Sequence, residues 1–213
     1  MNLTENLRDY LMNMLTPSTR LTEVELASHF QVSRASVRES LKALEGEGLI
    51  DRCRSRGITL HHFTLRDINE IYDLRAVLEG FACGRACQVV TAPQLDELSA
   101  LADEDNRLLP LAVDVLGSRR VSECDARFHG LLITIAGNLH LQEVLSNLAL
   151  MRKAFVLYNS SFRRNRSSAS TPFGHAEIVR ALQAADATLA ERLMREHVLW
   201  AKRHLIDELC LQV

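Results

Sequence analysis

Proline and glycine are scarce in this 213-residue chain, with four and nine copies, and aromatic residues make up only 5%. With leucine, alanine, glutamate and arginine abundant, that shortage favours helices over sheets. No apolar run approaches the eighteen or so residues of a membrane span, so no membrane partner is expected. Charge of one sign is lacking too. The net −2 argues against a protein that coats nucleic acid or lipid non-specifically, though it leaves room for a local basic patch. The five cysteines (Cys53, Cys83, Cys87, Cys124, Cys210) form no C-x-x-C pair and read as buried small hydrophobes in a reducing compartment. Glu5, Arg8 and Asp9 interrupt MNLTENLRDYLMNML where a secretory signal would need its apolar core. These absences together lead us to expect a soluble, cytoplasmic protein. Its apolar fraction of 47% suits one large domain or two small ones.

Two domains are expected, 1–63 and 64–213. In the first, Leu3, Leu7, Leu11, Met14 and Leu15 recur at helical spacing until Pro17. A second helix begins after Thr22, where T-E-V-E offers a capping box with Glu25, and it turns Leu26, Ala27 and Phe30 inward. A break at Gln31–Val32 follows. Ser33 then caps a third helix that stops at Gly48, with Val37, Leu41 and Leu44 as its buried stripe. Two β-prone runs, Leu49–Arg52 and Ile58–His62, flank a turn at Arg54–Gly57 and make a small wing. This is a winged helix-turn-helix pattern, in which the start of the second helix meets base edges and phosphates. Ser33, Arg34, Ser36, Arg38 and Lys42 on that helix, with Arg54, Arg56 and Gly57 on the wing, are the expected contacts with double-stranded DNA. Arginine suits the role because its fork can bond guanine O6 and N7 together, and serines at a helix start can hold a phosphate.

The stretch LTEVELASHFQVSRASVRESLKALEGEGLI resembles the winged-helix domain of the GntR family of bacterial transcription regulators. The shared strings are Leu21, Glu23, Leu26, Ala27; then Val32, Ser33, Arg34, Val37, Arg38, Glu39, Leu41; then Leu44, Glu47, Gly48, Leu49, Ile50. Two positions depart from the family pattern. Ser18 stands where glycine is common, and Val24 stands where many members carry a DNA-contacting arginine. The second departure leaves more of the reading to Arg34, Arg38 and the wing.

From Thr64 onward the periodicity is helical, giving an all-α antiparallel bundle of about six helices. The first turns Ile68, Ile71, Leu74, Leu78 and Ala82 to the core; Pro93 opens the second, through about Leu109. Residues 119–136, 139–162, 173–185 and 187–211 follow, the last capped by Asp186. The serine- and arginine-rich stretch 163–172 reads as a mobile loop, and the sequence does not say whether a ligand orders it. In DARFH, Asp125 and His129 lie four apart, on one helix face. They make either a surface ion pair or half of a metal site. His175 and His197 complete a set of three imidazoles and one carboxylate, which suits zinc, nickel or manganese. Spacing alone leaves the two readings open.

This second region resembles the FCD ligand-binding domain of the FadR subfamily. The matches run from Asp67 to Glu79; through Asp125, Phe128, His129, Ala136, Gly137 and Asn138; and through His175, Ile178, Ala181, Leu182, Asp186, Ala190, Met194 and His197. The resemblance implies a divalent metal, zinc above all, held by Asp125, His129, His175 and His197. Gly174 departs from it, standing where many members place a glutamate before the histidine. The resemblance also implies a metabolite carboxylate as effector, bound at the open positions of the metal. Arg75 is the expected second contact for that effector, against a plain i,i+4 ion pair with Glu79. Asn138 either touches the effector or caps the next helix.

A homodimeric repressor on a palindromic operator, released or tightened by the effector, is the expected function. A regulator in which the metal itself is the signal is the first alternative. A metal-dependent hydrolase is the second, although no carboxylate stands at motif spacing to serve as its general base.

Overall fold

The computed structural model describes residues 2–14, 20–53, 57–61, 63–111, 115–158 and 173–210. Leu15, Pro17, Ser18, the wing arginines Arg54 and Arg56, and the 163–172 stretch lie outside them. The chain divides into two compact units: Met1–Thr64 with Asn147–Ser160, and Leu65–Ser146 with Ser161–Val213.

In the first unit, helix α1 (Leu3–Met14) precedes α2 (Glu23–Phe30) and α3 (Arg34–Gly46), then strands β1 (Ile50–Cys53) and β2 (Gly57–Leu60). The Thr22 capping box forms as expected: Thr22 Oγ1 accepts from the Glu25 N–H, and Glu25 Oε2 from the Thr22 N–H. Gln31 takes a left-handed φ of 54°, which makes the tight turn between α2 and α3. Leu7 and Leu11 of α1, Leu26 of α2 and Val37, Leu41 and Leu44 of α3 are all buried to 1% exposure or less. Met14, expected in that stripe, is 52% exposed, and Met12 is buried in its place. The strands pair antiparallel, Ile50 opposite Leu60 and Cys53 opposite Gly57. Leu21 adds a two-bond bridge to Ile58 on the far side of β2. Gly57 fits there because its φ is +79° and a Cβ would lie 2.7 Å from the Leu21 carbonyl oxygen.

The second unit is helical throughout its described residues. It comprises α4 (Leu65–Val89), α5 (Ala92–Leu108), α6 (Val115–Ile135), the first part of α7 (Leu139–Tyr158), α8 (His175–Gln183) and α9 (Ala187–Cys210). Caps mark the joints. The Leu141 N–H donates to Asn138 Oδ1, and the Leu189 N–H donates to Asp186 Oδ1. Cys83, Cys87 and Cys124 are buried thiols, as small hydrophobes should be. The buried face of α4 corrects the reading of its periodicity. Leu74 is 53% exposed, while Arg75 and Glu79 are buried beside Ile68, Ile71 and Tyr72. A hydrophobicity pattern assigns charged residues outward, and here a mutually neutralising pair takes the inner stripe instead.

Candidate metal centre and nucleic-acid interface

Three helices of the second unit bring Asp125, His129, His175 and His197 together. Asp125 and His129 come from α6, one turn apart; His175 is the first residue of α8; His197 lies midway along α9. One ligand atom from each lies within 4.8 Å of the others. His129 Nε2 is 3.3 Å from His197 Nε2 and 3.6 Å from Asp125 Oδ1, while His175 Nε2 is 3.8 Å from that same oxygen. All three imidazoles are buried, and Phe128 stacks on the His175 ring at 4.1 Å.

The outer nitrogens explain why the inner ones converge. Glu79 Oε2 accepts a hydrogen bond from His129 Nδ1 at 2.5 Å, and the Phe173 carbonyl accepts from His197 Nδ1 at 2.8 Å. His175 Nδ1 sits 3.3 Å from Asp105 Oδ2 without reaching hydrogen-bond geometry. A carbonyl can only accept, so His197 carries its proton on Nδ1 and turns a lone pair inward. His129 is held the same way by a carboxylate. Two inward lone pairs 3.3 Å apart repel unless a cation lies between them. Both ring nitrogens of His175 are buried without a hydrogen-bond partner, which a cation at the centre would relieve on the Nε2 side. The residues therefore fit a divalent ion: three imidazole nitrogens and one carboxylate oxygen, from rigid helices, with hydrogen-bond partners behind two of the three rings.

Without a metal, a proton performs this task. Burial pushes His129 down, and the Glu79 and Asp125 carboxylates more than offset it, holding its pKa up to about 9. Burial and then the neighbouring His175 and His129 push His197 down to about 3. Burial pushes the Glu79 carboxyl up, but Arg75 and His129 pull it further down, to about 2. His129 thus holds the proton and His197 the lone pair.

Glu79 and Asp105 were not among the expected site residues. The i,i+4 spacing of Arg75 and Glu79 was the available signal for the first, and Arg75 Nε does donate to Glu79 Oε1 at 2.6 Å. Arg75 also lies over the Tyr72 ring, 4.8 Å from its centroid. Nothing in the spacing of Asp105 marked it. Outer partners come from elsewhere for two of the rings, Glu79 of α4 for His129 and the Phe173 carbonyl for His197, while Asp105 of α5 lies 3.3 Å from His175 Nδ1. Asn138 Oδ1 is engaged as the cap of α7.

In the first unit, Ser33 Oγ caps α3 through the Ser36 N–H. Arg34, Ser36, Arg38 and Lys42 are exposed on one side of that helix. Arg38 Nη2 donates to Glu23 Oε2 at 2.9 Å, and Lys42 Nζ donates to Glu39 Oε1 at 2.9 Å. Arg52, the described arginine of the wing, faces inward to Glu23 and Glu45.

Two family models match the chain: "Bacterial regulatory proteins, gntR family" over residues 2–60, and "FCD domain" over 70–199. The gluconate operon transcriptional repressor of Bacillus subtilis is 29% identical over 150 residues, covering 70% of this chain and 60% of that relative. The transcriptional repressor RspR of Escherichia coli is 28% identical over 193 residues, covering 90% and 81%. The first curated relatives are spanned over only 58–61% of their length. The solved structure of E. coli McbR/YncC has the same fold, with a TM-score of 0.77 at 19% identity over 98% of this chain and 99% of that one. No described helix is long and apolar enough to cross a membrane. Motifs, fold and matched models agree, and the chain belongs to the GntR family, with an FCD domain as its C-terminal part.

Proposed function

We propose that the protein is a cytoplasmic transcriptional repressor that binds a palindromic operator as a homodimer. A small carboxylate bound at a divalent metal in the second unit controls its DNA affinity. The observation that carries this reading is the convergence of Asp125, His129, His175 and His197 within 4.8 Å, with their rings turned to one point. Zinc suits the set best, and nickel or manganese also take imidazole with carboxylate. Held by these four residues, such an ion would supply Lewis acidity toward an effector carboxylate. Arg75 spends Nε on Glu79, so its own part in holding the effector would rest on its other guanidinium nitrogens. Asn138, engaged as a cap, is the weaker effector contact of the two. On the DNA side, Ser33, Arg34, Ser36, Arg38 and Lys42 would meet the duplex, with Gly57 bringing the wing close to it. Arg54 and Arg56 would add wing contacts of the same kind.

The homodimer draws support from α4. Leu74, Val77 and Phe81 recur at i, i+3 and i+7 on that helix and are 53%, 53% and 45% exposed, an apolar ridge suited to a second copy. The name of the gluconate operon repressor puts sugar acids into the effector panel beside other organic acids.

The test is a titration of carboxylates against a DNA complex of metal-loaded and metal-free protein. Release by a carboxylate only in the loaded form supports this reading. Release by chelator alone supports a metal sensor, and turnover of a panel compound supports an enzyme.

A further inference from the structure

Glu23 opens α2, yet its carboxylate reaches across two other elements of the first unit. Oε2 accepts from Arg38 Nη2 on α3 at 2.9 Å, and Oε1 accepts from Arg52 Nη2 on β1 at 2.6 Å. Arg38 Nε also lies 3.2 and 3.3 Å from the two oxygens, so that one edge of its guanidinium is held flat against the carboxylate. Arg52 is steadied in turn by Glu45, 3.5 Å away. The Glu23 side chain is 19% exposed and that of Arg38 is 49%. The Arg38 hydrogen bond and the two positive charges hold the Glu23 carboxyl below its ordinary range, so it stays ionised.

We propose that Glu23 is a positioning residue that sets the specificity of DNA reading by fixing the orientation of Arg38. The inference rests on the DNA-binding reading given above. Two effects act in the same direction. An arginine whose fork is already oriented loses less freedom when it meets a base edge or a chosen phosphate, which favours the correct sequence. A fixed negative charge beside that arginine weakens attraction to phosphates in general, which penalises every other sequence. Linking Arg38 to Arg52 through one carboxylate also ties the recognition helix to the wing. Val24, next in the chain, offers no charge of its own there, so the arginine at 38 bears more of the discrimination.

The experiment uses the full-length protein and a duplex of about thirty base pairs that the unaltered protein selects from a random pool, enough for two half-sites one turn apart. Affinity for that duplex and for a random duplex of equal length is compared between the unaltered protein, Glu23→Gln and Glu25→Gln. The second variant removes the same charge from the same helical turn but touches neither arginine. We expect Glu23→Gln to lower the ratio of selected to random affinity by about tenfold, the scale of one impaired base contact, while binding to the random duplex strengthens. Glu25→Gln should leave the ratio within about twofold. The ratio divides out any unfolded fraction, so a poorly folding variant still reports. Equal changes on both duplexes, or equal falls in the two variants, would overturn the proposal. Failure of the unaltered protein to select any duplex would instead sink the DNA-binding reading, and this inference with it.

Discussion

The two units use the same kinds of charged side chain under opposite conditions. In the first, Arg38 with Glu23 and Lys42 with Glu39 pair at the surface, where water and salt weaken the attraction. In the second, Arg75, Glu79, His129, His175 and His197 are buried, and each partner lost leaves a charge or a lone pair stranded. Surface pairs leave the unshared side of each cation open to DNA at little desolvation cost. Buried ones hold a fixed geometry. A reader and a binding centre need these two behaviours respectively.

That contrast sets the scale of what substitutions should do. The largest effect belongs to the ligands: His197→Ala should lower zinc affinity by more than about a hundredfold, read by competition with a chromophoric chelator, since it removes a direct donor. Substitution one step out should do less. Glu79→Gln should lower zinc affinity by about ten- to a hundredfold, because it weakens the hold on His129 Nδ1. The same variant leaves Arg75 buried beside a neutral amide and should destabilise the metal-free protein by about 3 kcal/mol in urea unfolding. An unchanged affinity in Glu79→Gln would mean that His129 is oriented by packing alone.

The metal-free protein should also show a stability maximum near pH 6.5. Above it the unfolded chain loses the His129 proton that the fold retains up to about 9, so stability falls as pH rises through that window. Below it the unfolded chain protonates His197, which the fold keeps neutral down to about 3; stability therefore falls with pH there as well. Glu79, ionised in the fold to about 2, adds to the acid loss below about 4.5. A monotonic profile across this range would contradict the assigned proton on His129. The smallest effect is expected at the surface. Lys42→Ala should leave the urea midpoint unchanged, yet reduce the slope of log affinity against log salt for DNA by about 1.

How far these features were legible in the sequence follows the same divide. Caps and turns are local, and Thr22, Ser33, Gln31 and Asp186 could be placed from their neighbours alone. Spacing pairs Asp125 with His129, but His175 and His197 come from distant stretches, and motif resemblance joins them to that pair. Leu74 and Glu79 depart from the periodicity for one reason: the pattern treats a charged residue as an outward one, and it cannot see that Arg75 and His129 neutralise Glu79 from two sides. Asp105 reaches His175 from another helix and carried no local signal. Arg52 is likewise joined across elements, from its strand to Glu23 of another helix, and no local pattern marks that pairing.

Much of the above depends on four side chains of the second unit holding one divalent ion. Metal analysis of unaltered and His129→Ala protein, each dialysed against zinc and then against buffer, tests it most directly. About one ion per chain is expected in the first and next to none in the second, since three remaining donors grip zinc poorly. Equal zinc in both proteins, or none in either, would contradict it.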